Sequence, residues 1–440
     1  MSSLNKLFRH AQILTADSIW NYFQDGTILV SNDQISWIGN DANWDPELQP
    51  TIDVEIDLSG FTIIPGLINT HAHGGLSIYR GLCDDGDLFS WAKKISSKTS
   101  FVDDEIMEIG NYLAVMEQVR SGTTCTCDCN RYGTGIFARV TDKVGNRSIS
   151  GTLVSSPELR PIGKPNWPNA IYETEKAMEE FSGSDRVRFF IGGHSTYSCT
   201  GELLVEIKKE SDRLGLPFNI HVSETKKEVE ICLEKNKVPP IVWLEQLGIL
   251  DSNFIIDHAV WLNEQEIEIM SNHECKVAHC PVSNAKLGSG IAPITNLLKS
   301  NVTIGLGTDS TISNNSQDLF SEMKFAVLLQ RAHNMDGSLL SARDVIKMAT
   351  INAAKVLGWE NEIGSLEVGK KADFCVLELP EPKNLSLDQV ESDIVYSGGQ
   401  HLVSQVFCDG ENIYDNGHFT KFDHHKFSER LSNFISRSSA

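Results

Sequence analysis

The chain has 440 residues, with 38 basic against 59 acidic side chains and a formal net charge of −21. A composition of 40% apolar and 22% charged residues is that of an ordinary soluble globular protein. The acidic balance excludes nucleic acid or an anionic membrane as partner, because phosphate binding needs a basic face.

The opening MSSLNKLFRHAQILTADSIW has no unbroken apolar core for a signal peptide. No run approaches the ~18–20 apolar residues of a membrane span. The ten cysteines show no paired CxxC knuckles and read as reduced thiols of a cytoplasmic protein. Residues 5–60 hold short β-type runs such as GTILVSNDQISWIGN, with Asn32–Asp33 as a turn. Eight further β-branched or apolar runs follow, each ending in polar residues and separated by amphipathic stretches. They are FTIIPGLINTHAH (61–73), GTTCTCDCN (122–130), SISGTLV (148–154), VRFFIGGH (187–194), PFNIHVSE (217–224), FIIDH (254–258), KVAHC (276–280) and VTIGLGTD (302–309). Leu203, Leu204, Ile207 and Leu214 have helical spacing, and Ser341 with Asp344 forms a capping box. Residues 365–420 return to the β pattern, with hairpin signals at Asp409–Gly410 and Asn416–Gly417.

Eightfold strand–helix alternation predicts an α/β fold, a distorted (β/α)8 TIM barrel over 61–360. The two ends, 1–60 and 361–420, predict one composite β-sandwich domain, and 421–440 a polar, partly helical tail that frays. The alternatives are an open doubly wound sheet and two independent β caps. Against the open sheet, no GxGxxG or GxxxxGK[ST] phosphate loop is present.

Five of the eight barrel strands carry histidine at or near the C-terminal end: His71/His73, His194, His221, His258 and His279; the eighth run ends in Asp309. Chemistry in such a barrel sits at those ends. His71 and His73, at i and i+2, share one strand face. With His221 and Asp309 they suffice for one divalent cation, Zn²⁺ first, with Fe²⁺, Mn²⁺ or Co²⁺ also accommodated. Glu224 follows His221 by three residues. Strand parity sends it to the opposite face unless the chain turns after Ser223, and the charged run ETKKEVE also suits a solvated loop. For His258 and His194 the other reading is a core histidine bonded to backbone. His279 reads as structural. Cys125, Cys127 and Cys129 share a strand face and read as packing residues more than as a thiolate site.

PGLINTHAH, HVSET, HAVWL, HCPVSNAKLGSGIAPI and IGLGTDSTISNNSQDLFSEMK together resemble the amidohydrolase superfamily. The resemblance is strongest to the branch of S-adenosylhomocysteine/5′-methylthioadenosine deaminases and s-triazine hydrolases. It implies a single catalytic metal on His71, His73, His221 and Asp309. It implies Glu224 as proton shuttle and His258 assisting the attacking water; Asp309, beside the cation, can then accept a proton from that water. His194 would face substrate, and Trp91 is a further pocket-wall candidate. A fourth-strand lysine, usual where two metals bind, is replaced by IGGH.

The expected activity is hydrolytic deamination of an amino-substituted N-heterocycle, a purine, pterin or related ring, with release of ammonia. The alternatives are dechlorination or dealkylamination of an s-triazine-like ring and a catalytically inactive scaffold. One departure matters. DLFSWAKKISSKTS (87–100) has no glutamate after Trp91, and SGTLVSS (150–156) has no arginine. The resemblance would place ribose-side contacts there, which points away from adenosyl substrates and leaves a free base, pterin or triazine open. The partner is a small heterocycle; a homodimer is an ordinary outcome for such a chain.

Overall fold

The apolar run 61–73 does not form one strand. It divides at Gly66 into Thr62–Pro65 and Leu67–Ala72, which belong to different sheets. Gly66 is required at the division: a Cβ there would lie 2.1 Å from Thr124 Oγ1. The computed structural model describes residues 4–98, 103–130, 133–157, 159, 167–381 and 386–438. Thr99 and Ser100, which end the DLFSWAKKISSKTS segment, lie outside the described residues, as do the last two residues of the tail.

Eight parallel strands make the barrel: β1 (Leu67–Ala72), β2 (Thr123–Asn130), β3 (Arg147–Val154), β4 (Val187–Ser195), β5 (Phe218–Val222), β6 (Phe254–His258), β7 (Lys276–His279) and β8 (Thr303–Leu306). Each pairs in parallel with the next in chain order. Closure between β8 and β1 is looser. It consists of a bridge between Ala72 and Asp309, the Asp309 N–H donating to His71 O at 2.9 Å, and Asn69 Nδ2 donating to Thr308 Oγ1 at 2.7 Å. Alternate residues fill the interior, among them Ile68, Cys125, Cys127, Cys129, Ile149, Phe190, Ile255 and Ala278. The three cysteines therefore face the barrel axis, as strand parity requires. All ten cysteines are buried and free.

Helices cover the outside. In Gly201–Leu214, Leu203, Leu204 and Ile207 are buried, and Thr200 caps its start by accepting the Leu203 N–H. The Ser341/Asp344 capping box begins Ala342–Ala349.

Both chain ends do meet in one unit, but the strands form one continuous nine-stranded mixed sheet where the sequence predicts a β-sandwich. Thr62–Pro65 joins them: it pairs parallel to Asn5–Leu14 and antiparallel to Phe374–Leu377. Phe8, Phe374 and Phe407 pack ring to ring at 4.6–5.1 Å in the core of this sheet. The turns fall at the signalled dipeptides: Asn32 (φ 59°), Asp409 (53°), Gly410 (68°), Asn416 (45°) and Gly417 (94°) all adopt positive φ. The tail differs from expectation. His424–Ser438 is a docked helix, with Phe427 buried against Tyr112 and Arg430 paired to Glu108 at 2.8 Å. Apolar Phe427 supplies the anchor that a count of polar residues hides. Among the described residues, no helix is long and apolar enough to cross a membrane.

Candidate metal centre and active site

His71 lies on β1, His73 just beyond it, His221 on β5, and Asp309 three residues past β8. Their imidazole Nε2 and carboxylate atoms converge. His73 Nε2 is 3.4 Å from His221 Nε2 and 3.5 Å from Asp309 Oδ1; His71 Nε2 is 3.7 Å from the same oxygen. Ligands about 2.0–2.2 Å from a tetrahedral zinc lie roughly 3.3–3.5 Å apart, so the spacing fits one ion. His71 Nε2 is also buried without a hydrogen-bond partner, as a nitrogen kept for a cation would be.

Each imidazole is held from behind. His221 Nδ1 meets the His194 carbonyl at 2.6 Å, His73 Nδ1 meets the Cys129 carbonyl, and His71 Nδ1 lies 3.1 Å from Asp257 Oδ1. A carbonyl only accepts, so His73 and His221 carry the proton on Nδ1 and present Nε2 as a lone pair. Burial pushes the His221 imidazole well below its ordinary range, and the surrounding histidines push the same way. For Asp309, burial opposes ionisation, but the facing histidines override it and hold the carboxyl well below the usual range. Asp309 Oδ2 accepts from the hydroxyls of Ser283 and Ser313, and Oδ1 accepts the Ser310 N–H at 2.7 Å. Gly307 permits the close approach of β8 to β1, since a Cβ there would lie 2.7 Å from His71 Cβ.

Glu224 reaches the site because the chain turns where parity alone fails. Ser223 has φ 55°, and helix Lys226–Asn236 begins two residues after Glu224, capped by Thr225. Glu228, in the same charged run, is not solvated. It is fully buried, and its Oε2 accepts the Glu224 N–H at 2.8 Å while Oε1 accepts the Thr196 hydroxyl. Burial, reinforced by Asp309, pushes the Glu224 carboxyl up to about 8. Its Oε2 lies 3.8 Å from His258 Nε2. His258 Nδ1 is 2.9 Å from Asn284 Oδ1, which leaves Nε2 facing Glu224. Burial lowers the His258 imidazole.

Backbone strain gathers here. Ser223, His258 (φ 71°), Ala259 (49°) and Asp309 (59°) all adopt the left-handed region, a cost of about 1–3 kcal/mol each. The positive φ at His258 breaks strand alternation, so the consecutive residues Asp257 and His258 both face His71, with the His71 and His258 ring centroids 5.4 Å apart.

One narrow cleft brings together His73, Trp91, His194, His221, Glu224, His258 and Asp309; Tyr197, Leu88 and Leu287 also line it. His71 lies beneath it, fully buried. His194 Nδ1 bonds Ser198 Oγ at 2.8 Å, and Tyr197 stands edge-on to it at 5.8 Å. His279, at the end of β7, is buried outside the cleft wall, and burial pushes it down to about 3. Sequence reasoning missed Asp257, Asn284, Ser283, Ser313 and Glu228. Their only signal was adjacency to the histidine runs or position in a polar motif.

The amidohydrolase family matches residues 62–413. The chain is 33% identical over 415 residues to a 5′-deoxyadenosine deaminase of Methanobrevibacter smithii, covering 93% of each chain. It is 36% identical over 363 residues to a 5-methylthioadenosine/S-adenosylhomocysteine deaminase of Thermococcus kodakarensis, covering 82% of this chain and 84% of that one. A zinc-bound adenosine deaminase from Xanthomonas campestris superposes with a TM-score of 0.91 at 25% identity, over 99% of this chain and 98% of that one. A zinc-bound atrazine chlorohydrolase from Arthrobacter aurescens shares the fold at TM-score 0.90 and 19% identity, over 98% of this chain and all of that one.

Proposed function

Because the chain belongs to the amidohydrolase family, we propose that His71, His73, His221 and Asp309 hold one Zn²⁺ and that Glu224 shuttles protons in its deaminase reaction. The enzyme is a metal-dependent hydrolase of carbon–nitrogen bonds, a deaminase. We assign it an adenine nucleoside of the 5′-deoxyadenosine or 5′-methylthioadenosine type. Relatives bearing those names align over more than nine-tenths of both chains, and this outweighs the missing glutamate after Trp91.

When bound, the cation supplies a water acidified from pKa 15.7 to about 7. The rest is the work of side chains. Asp309 accepts a proton from the attacking water. His258 Nε2 orients that water, its own ring fixed through Asn284. Glu224, kept protonated by burial, donates to a ring nitrogen and makes the amino-bearing carbon electrophilic. The water oxygen bonds to that carbon, and the carbon–nitrogen bond to the amino group breaks. Glu224, now a carboxylate, takes the proton of the new hydroxyl and delivers it to the leaving nitrogen, and the proton held by Asp309 restores Glu224, so water and substrate become the oxo product and ammonia. Trp91 and His194 wall the ring.

The observation that carries this reading is the convergence of three Nε2 atoms and one carboxylate oxygen beside the buried Glu224 carboxyl. Glu224→Gln tests it. The variant is expected to keep its metal and lose about 10²–10⁴-fold in turnover. Undiminished ammonia release at unchanged metal content would refute the shuttle role.

A further inference from the structure

Behind His71 the barrel interior holds a closed set of polar groups that one cation does not require. Asp257 is fully buried on β6. Its Oδ1 lies 3.1 Å from His71 Nδ1 and accepts Asn219 Nδ2 at 3.0 Å. Its Oδ2 is buried with no hydrogen-bond partner. Cys129 Sγ is 3.3 Å from the same His71 Nδ1 and donates to Asn219 Oδ1 at 3.6 Å. Strands β1, β2, β5 and β6 thus each send one side chain to a point directly beneath the site.

The adjoining interior positions are apolar, Ile68, Cys127, Ile255 and Phe190 among them. An uncompensated carboxylate in such a layer costs several kcal/mol of desolvation. Its position against one nitrogen of one imidazole therefore needs a reason. His71 has two ring nitrogens: Nε2 points at Asp309, and Nδ1 points at Asp257. A carboxylate on Nδ1 holds the proton there, fixes the ring's orientation and raises the electron density that Nε2 can offer a metal. Asp257 behind and Asp309 in front would also balance the two charges of a divalent cation held at Nε2.

We propose that Asp257 is a positioning residue that acts through His71 Nδ1 to set how tightly this site holds its cation, with Asn219 and Cys129 fixing Asp257 in turn. The inference rests on His71 being a metal ligand, as read above. A rival arrangement exists: the ligand atoms of His71, Cys129 and Asp257 lie close enough together for a second ion.

Metal binding distinguishes these without any substrate. Wild type, Asp257→Ala, Asp257→Asn and His71→Ala are loaded with Zn²⁺ or Co²⁺ and titrated with a competing chelator, with metal per chain measured directly. Wild type is expected to hold one ion. Asp257→Ala is expected to bind it about 10–100-fold more weakly, the usual effect of removing such a partner. Asp257→Asn keeps an acceptor without the charge and falls between; it is near-isosteric and gives the reading if the alanine variant does not fold. Nitrogen-15 spectra of His71 are expected to show the Nδ1–H tautomer in the wild type and a mixture in Asp257→Ala. Unchanged affinity in the Asp257 variants would overturn the proposal. So would two ions per wild-type chain, one of them lost in Asp257→Ala. Wild-type affinity in His71→Ala would instead refute the ligand reading on which the proposal stands.

Discussion

At the scale of single residues, the histidines were legible and their partners were not. His71, His73 and His221 fall at strand ends in a pattern that the fold turns into one cluster, with Asp309 Oδ1 3.5–3.7 Å from two of them. Asp257 escaped notice because strand alternation places it on the face opposite His258. Only the positive φ at His258 lets both face His71, and no residue type announces that angle. Glu228 escaped because a glutamate in ETKKEVE reads as solvated until the turn at Ser223 buries it. Glu224 itself gives a testable pH dependence. Its folded carboxyl sits at about 8, against about 4.5 when unfolded, so between those values the folded chain holds a proton that the unfolded chain has lost. Stability from this group is therefore greatest at low pH and falls as pH rises through the window, by up to about 1.4 kcal/mol per pH unit. Denaturant midpoints of metal-free wild type and Glu224→Gln, compared from pH 5 to 8, are expected to converge as pH falls and separate as it rises, wild type becoming relatively weaker. Parallel curves would contradict the buried, protonated state.

At the scale of elements, period and punctuation carried most of the fold. Eight strand runs and three turn dipeptides appear where the sequence places them. The split of 61–73 was missed although Pro65–Gly66 is a turn signal, because apolar residues continue across it (FTIIPGLI) and the close approach to Thr124 is not written in the sequence. That contact makes a prediction. Gly66→Ala would drive its Cβ into the branched Thr124 side chain and destabilise the fold by about 1–3 kcal/mol. Adding Thr124→Ala removes two of the three clashing atoms and is expected to restore part of the loss. Thermal or denaturant midpoints of the three variants check it, and a neutral Gly66→Ala would show that the strand junction yields.

At the scale of the whole molecule, the outer sheet and the barrel floor are joined by a buried ion pair. Arg147, at the start of β3, is wholly buried; its Nε donates to Asp373 Oδ2 at 2.6 Å and an Nη donates to Asp409, both acids in the C-terminal part of the sheet. Trp359 lies against the guanidinium at 5.7 Å. Arg147→Met strands Asp373 without its charge partner and is expected to cost about 3–5 kcal/mol in a denaturation experiment, with Arg147→Met/Asp373→Leu recovering part of that loss. An equally stable single variant would mean that the two sheets do not depend on this link. The net charge of −21 bears on none of these contacts; what matters to the proposed site is local, two buried carboxylates, Asp257 and Asp309, facing the two ring nitrogens of His71. The most direct test of the whole account is ammonia release from 5′-deoxyadenosine by protein of measured metal content. Saturable release, with one oxo nucleoside formed per ammonia at one metal per chain, is the predicted result. A chain carrying one metal that deaminates neither this nor any other adenine nucleoside would contradict it.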